Sequence, residues 1–254
     1  MITVTEAQLM QWLGPLLWPF LRTLALFSAL PVLSQRSVPM RVRVGLALFI
    51  AIAVQGTLPE AVPLPPLDAP EAWAIAAQQV MIGLTLGFAV RVVFAATEMA
   101  GELVGLKMGL NFAAFFDPIS ATQSNAASRL FGTLIALLFV VINGHLAVIG
   151  ALVRSFEAFP PAPQPLAFLA QLHPQAWGAE VFAMGLWIAL PIVGLLLFVN
   201  LVMGVVGRVA PQLNIFAIGF PVTLGVGLLG LLLTLPLLQQ PFVMALERML
   251  ARFQ

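Results

Sequence analysis

The chain contains no cysteine, only two histidines and just 8% charged residues. Without cysteine there is no disulfide framework and no thiolate metal site, and the redox compartment is left unspecified. The two histidines, His145 and His173, are too far apart in sequence to suggest a zinc site on their own. Soluble domains carry about a quarter of their residues as charges, so this scarcity argues against a solvated globular fold. The formal net charge of +1 supplies no basic field, which argues against nucleic acid as a partner. No Gly-rich phosphate loop and no G-x-S-x-G nucleophile motif occurs. No enzyme, cofactor or metal role is expected. The N-terminus, MITVTEAQLMQWLG, lacks a basic n-region and a small-residue cleavage site, so the first apolar helix is expected to stay in the protein.

What is present is hydrocarbon. Hydrophobic residues make up 61% of the 254 positions, and the mean hydropathy is +1.05. Six apolar stretches approach the roughly 20 residues that cross a bilayer: 9–33, 42–58, 72–96, 130–153, 179–206 and 215–238. A last piece, 241–254, sets Phe242, Leu246, Met249 and Leu250 at helical spacing around Glu247 and Arg248, the pattern of an amphipathic helix. The connectors differ in chemistry. Residues 34–43 carry Arg36, Arg41 and Arg43 and no acid, whereas 59–71 carry Glu60, Asp68 and Glu71, five prolines and no base. The positive-inside rule places the arginine connector in the cytoplasm and both termini outside. A second Pro-rich connector, 159–174, marks a boundary between two parts.

Several stretches do not suit lipid. Arg22 and Arg91 lie inside apolar runs, where a charge needs protein, water or a partner. Pro191, Pro211, Pro221 and Pro236 should bend or break helices. Small residues recur at spacings that permit close helix packing: Gly83 and Gly87, then Gly101, Gly105 and Gly109. Glu98 and Glu102 share one helical face near Lys107 and read as a partly solvated interfacial face rather than a proton path. His145 reads as a capping or interhelical hydrogen-bonding group.

The segment 101–129, GELVGLKMGLNFAAFFDPISATQSNAASR, is the most unusual. It is too apolar for a solvated connector, and Asp117 and Pro118 interrupt it too early for a span. Such a segment is tolerated at membrane depth where protein covers it or it lines a cavity. From the residues alone Phe112 and Phe116, four apart, read more readily as one stripe of a buried helix.

Four strings then point to a family. The run RVAPQLNIFAIGFP at 208–221, the connector LSQRSVPMRVRVGLA at 33–47, the pattern of Gly101-Glu102, Gly105, Gly109, Phe112-Ala113 and Phe116-Asp117-Pro118, and Asn143-Gly144-His145 resemble, in order, the FliR family of flagellar biosynthetic proteins. The resemblance implies an all-α membrane subunit of the type III export gate, with kinked, Gly- and Pro-rich helices and hairpins packed in a multi-subunit helical assembly. It implies partners like FliP and FliQ, contact with other export-apparatus membrane proteins and membrane lipid, and passage of unfolded flagellar proteins. The implied site is the bacterial inner membrane at the flagellar basal body, projecting partly to the periplasmic side. A FliP-like part would cover 1–178 and a FliQ-like hairpin 179–254.

The resemblance further implies a pore plug at about 106–123, with Phe112, Phe115 and Phe116 as blockers and Met108, Leu110, Asp117 and Pro118 beside them. Arg208, Pro211, Gln212 and Asn214 would form a hairpin turn at the pore entrance. By the positive-inside rule Arg36, Arg41 and Arg43 face the cytoplasm, either as ordinary positive-inside residues or in contact with acidic surfaces of neighbouring subunits or lipid head groups. The alternatives are an injectisome export subunit or, further off, a secondary transporter or ion channel. A transporter would usually show two similar halves, and no such repeat is present.

Overall fold

The structure, a computed structural model, describes residues 6–56, 70–112, 125–212 and 215–254, with the side chains of all of these except 6–14, 112, 215 and 216. Among the described residues it is helical, without strands. Among the described residues eight helices of 12 residues or more follow in order: α1 (Glu6–Ala29), α2 (Met40–Gln55), α3 (Ala72–Lys107), α4 (Ala126–Val141), α5 (Gly144–Ala158), α6 (Trp177–Val209), α7 (Ile215–Thr234) and α8 (Gln239–Leu250), with short turns and the four-residue helix Leu169–Leu172 between them. The protein is thus all-α, as its patterning indicates.

Among the described residues three helical stretches are long and apolar enough to cross a membrane: Ala72–Lys107, Leu169–Val209 and Ala217–Phe253. The count becomes four if α4 and α5 are taken together. The apolar run at 130–153 is therefore not one straight rod but two helices bent by 68°. The cause lies at Asn143, which has φ 57. A left-handed backbone cannot continue a right-handed helix, and asparagine is one of the few side chains that tolerates it. The run at 42–58 yields only the 16 residues of α2. At 1.5 Å per residue that is about 24 Å, short of the ~30 Å hydrocarbon core.

The prolines divide into two kinds. Pro191 and Pro221 sit inside α6 and α7 without ending them. Pro211 stands in the turn after α6, and Pro236 in the 3-10 turn Leu235–Leu238 that follows α7.

The chain forms two compact units, neither contiguous in sequence. The first comprises Met1–Val92, Asn143–Trp177 and Leu246–Gln254. Here α2 meets α1 through a narrow seam of buried Ala47, Ala51 and Val54. Where α3 passes α1 the backbones come very close. A Cβ on Gly83 would collide with the Arg22 carbonyl oxygen and lie 2.9 Å from the Ala25 Cβ, and one on Gly87 would lie 2.6 Å from the Ala29 Cβ. An aromatic group then gathers the rest of the unit. Phe159 sits edge-on to Phe168 at 6.0 Å and to Phe253 at 6.4 Å, while Trp177 stacks on Phe88 at 5.9 Å. Ring pairs at these separations and angles add to burial alone.

Arg22 is the polar centre of this unit. It is 0% exposed, yet its three hydrogen-bonding partners are uncharged. Nε donates to Gln79 Oε1 at 2.8 Å, Nη1 to Ser155 Oγ at 2.9 Å and Nη2 to the Phe159 carbonyl at 2.8 Å. The guanidinium carbon also lies 3.7 Å from the Phe156 ring centroid, a cation–π contact. The planar five-donor fork of arginine suits three directions at once, which a lysine ammonium on a flexible stem serves less well. The residue that hydropathy flags as misplaced is therefore covered by protein. Arg91, by contrast, is exposed on α3.

The second unit comprises Val93–Ile142 and Gly178–Ala245. Its core joins Ala100, Val104 and Met108 of the α3 end, Phe131 of α4, Ile188, Ile192 and Leu196 of α6, and Leu231. Phe94 meets Phe139 and Phe242 edge-on at 5.6 and 5.7 Å. Helices α6 and α7 run antiparallel about the Pro211-Gln212 turn: Gly230 lies against Ile192 and Leu195, with its Cβ position 3.4 and 3.5 Å from them.

Two outcomes test this packing. Replacing Arg22 by Ala should destabilise the folded protein by roughly 3 kcal/mol, because three buried acceptors lose a charged donor and a cavity opens. Thermal unfolding in detergent should rank wild type above Arg22→Lys, and Arg22→Lys above Arg22→Ala. An unchanged melting point for the alanine variant would refute the assignment. Gly83→Val should cost about 1–3 kcal/mol by overpacking against the α1 backbone, whereas Gly194→Val, with open space around it, should cost less in the same assay.

Candidate functional site

The segment singled out by hydropathy begins as helix. α3 continues through Gly101 and Gly105 to Lys107, and only then does the chain break. Gly109 has φ 82, a backbone state that glycine adopts without steric cost. A 3-10 turn, Leu110–Phe112, follows. Residues 113–124 lie outside the described residues, and with them Phe115, Phe116, Asp117 and Pro118; of Phe112 only the backbone is described.

The glycines of this helix end have separate tasks. A Cβ on Gly101 would stand 2.7 Å from the Ser128 Cα and 3.0 Å from the Ala127 oxygen, so the first turn of α4 lies directly on α3. A Cβ on Gly105 would overlap the side-chain amide of Asn125. Gly109, at the same sequence spacing, stands beyond the helix end and makes the turn instead.

A polar joint sits on this surface. Asn125 caps α4, its Oδ1 accepting from the Ser128 backbone N–H at 2.8 Å. Its Nδ2 donates to the Glu102 carbonyl and to Asn111 Oδ1, both at 3.2 Å. The Asn125 backbone N–H faces Glu102 Oε2 at 3.4 Å, and Ser128 Oγ donates to the Glu98 carbonyl at 3.1 Å. The sequence pattern marks Glu98 and Glu102 as one face of α3 but does not single out Asn111 and Asn125. The signal available was Asn125 itself, a favoured N-cap residue just before an apolar helix.

Two hydrophobic residues of the implied plug lie on the core side of the break. Met108 is buried against Gly227, where a Cβ would meet its Cγ at 2.5 Å. Leu110 packs, partly buried, on the same core. The structure thus brings Gly101, Gly105, Met108 and Leu110 to one end of α3.

The other residues lie elsewhere. Arg208 ends α6 and is exposed, as are Pro211 and Gln212, while Asn214 falls outside the described residues. The first connector splits its three arginines by task. Arg43 folds back, its Nη2 donating to the Gln35 and Val38 carbonyls at 2.9 and 3.2 Å, so that it staples the connector. Arg36 and Arg41 are exposed. His145 is exposed in the first turn of α5 and His173 has φ 46 in the second Pro-rich connector.

Much apolar surface stays uncovered in the chain alone. The most hydrophobic stretch of α3 is 67% buried, but those of the helical stretches at Leu169–Val209 and Ala217–Phe253 are only 22% buried. Phe182, Trp187, Phe198, Leu201, Leu232 and Leu233 are all more than 60% exposed. An apolar surface of this extent requires lipid or protein to cover it.

Residues 13–249 match the family described as bacterial export proteins, family 1. The chain is 44% identical to the flagellar biosynthetic protein FliR of Escherichia coli (strain K12) over 94% of its length and 90% of the relative's. It is 30% identical to the protein of that name from Aquifex aeolicus (strain VF5), over 90% and 88% of the two chains. Against that from Bacillus subtilis (strain 168) the identity is 28% over 84% and 83%. A helical chain with three to four membrane-length apolar segments, matched from end to end in this way, belongs to the FliR family of bacterial export proteins.

Proposed function

We propose that the chain is a core subunit of the flagellar type III protein export gate, which joins FliP-like and FliQ-like subunits to form the pore through which unfolded flagellar proteins cross the inner membrane. The observation that carries this reading is the full-length similarity to proteins named for flagellar biosynthesis. The exposed faces of α6 and α7 support it, because a subunit whose most apolar helices are least covered is suited to burial among others. In this reading residues 1–178 act as the FliP-like part and 179–254 as the FliQ-like hairpin, which turns at Pro211-Gln212. Arg208, Pro211, Gln212 and Asn214 rim the entrance. Arg36 and Arg41 meet acidic subunit surfaces or anionic head groups on the cytoplasmic side, and part of the assembly projects to the periplasmic side. The chain provides a conduit and carries out no catalysis.

The closing element is the connection after α3. Phe112, Phe115 and Phe116 fill the lumen, flanked by Met108, Leu110, Asp117 and Pro118, and rings in a narrow passage exclude water and ions by dewetting. Met108 and Leu110 support the reading by rooting the near end of the connection in a packed core.

Two measurements check it. Solubilised under mild conditions, the tagged chain should elute in one large complex with two other small hydrophobic proteins, FliP-like and FliQ-like; elution as a lone transporter-sized particle would refute the gate. In planar bilayers the complex carrying Phe112, Phe115 and Phe116 all as alanine should conduct small ions at rest, by an order of magnitude or more above wild type. Equal conductance would reject the plug while leaving the gate assignment in place.

A further inference from the structure

Asn111, in the turn just beyond α3, and Asn125, which caps α4 against α3, touch across 14 positions of sequence through Oδ1 and Nδ2 at 3.2 Å. We infer that Asn125 is a positioning residue that clamps both ends of the connection 111–125 to α3, a task separate from its capping of α4. The inference rests on the plug reading for its functional consequence, because the clamp sets the point from which the phenylalanine-bearing segment starts.

The argument is one of saturated bonding. A carboxamide offers two N–H donors and one carbonyl oxygen. In Asn125 the oxygen serves the cap, and the amide nitrogen serves the Glu102 carbonyl and the Asn111 side chain. The orientation of the amide is fixed by its neighbours, since Ser128 N is a donor while Glu102 O can only accept. Gly105 is the socket: any side chain there would displace the amide from all three bonds together. Capping alone asks only for an acceptor oxygen, which aspartate and serine provide as well as asparagine. The two donated bonds are what distinguish asparagine here, and neither belongs to helix α4.

That distinction gives the test. Asn125→Asp keeps an oxygen for Ser128 but has no N–H for Glu102 or Asn111, and it sets a second carboxylate near Glu102. A pure cap would leave this variant like wild type. The chain contains no cysteine, so Leu110→Cys and Ala126→Cys, which flank the joint, form the only thiol pair in this subunit. In the assembled complex a short bismaleimide should join them efficiently, and Asn125→Asp should lower the yield by roughly fivefold or more, since one lost hydrogen bond is worth about that factor and the variant loses two. Asn111→Ala, which touches neither cap nor helix, should act in the same direction and guards against misfolding of the first variant. Unchanged yield in both variants overturns the clamp. Resting ion conductance of Asn125→Asp, measured beside the triple phenylalanine variant, tests the consequence. Leak in both supports positioning. Leak in the triple variant alone overturns it. If the triple variant itself stays tight, the plug reading fails, and the crosslinking yield alone decides whether the clamp exists.

Discussion

Where two helices need to approach more closely than side chains allow, one of them must surrender its Cβ atoms, and α3 does so on both of its packed stretches. Gly83 and Gly87 admit the α1 backbone in one unit; Gly101 and Gly105 admit the start of α4 in the other. Lipid tails are as apolar as leucine, so bulk hydrophobicity cannot draw helices together in a bilayer. Van der Waals contact and hydrogen bonds at close range have to do so. The polar bonds of each unit are arranged around these contacts. Arg22 reaches Gln79 from a helix already pressed onto Gly83, and Asn125 reaches Glu102 from a residue seated on Gly105.

Hydropathy and burial consequently part company. The mean hydropathy of the α3 window is 2.0, slightly below the 2.1 and 2.5 of the later stretches, yet it is three times as buried. Its composition explains the difference. Gln78, Gln79, Thr85 and Thr97 are buried polar residues on α3, tolerable only where protein supplies partners. Thr85 and Thr97 turn their hydroxyls onto their own helix, and Gln78 accepts from the Ala162 backbone N–H and donates to the Pro160 carbonyl. Helices α6 and α7 carry few such groups, which fits surfaces that something apolar must cover.

Much of this was legible beforehand because it depends on local chemistry. The C-terminal pattern of Phe242, Leu246, Met249 and Leu250 is a buried face of α8, as helical spacing requires. The glycine spacings mark close contacts at Gly83, Gly87, Gly101 and Gly105, yet the same spacing overreaches at Gly109, where conformation rather than packing selects the residue. The bend at Asn143 escaped because a single left-handed residue leaves no trace in an apolar average. Arg22 could be recognised as needing a partner, but its three acceptors come from residues far along the chain, and no local rule names them. The Asn111–Asn125 contact was hidden for the same reason.

That remoteness acquires a meaning when the chain is followed off the ribosome. The acceptors of Arg22 are made 57, 133 and 137 residues after it. At about 5–20 residues per second, synthesis needs roughly 7–27 s to reach the last of them. Until Gln79 is made, α1 carries a guanidinium with no native acceptor, and from then until α5 is complete it holds one hydrogen bond of three. A helix made early is therefore among the last to have its polar contacts completed, because two of the three acceptors of Arg22 follow only with the end of α5.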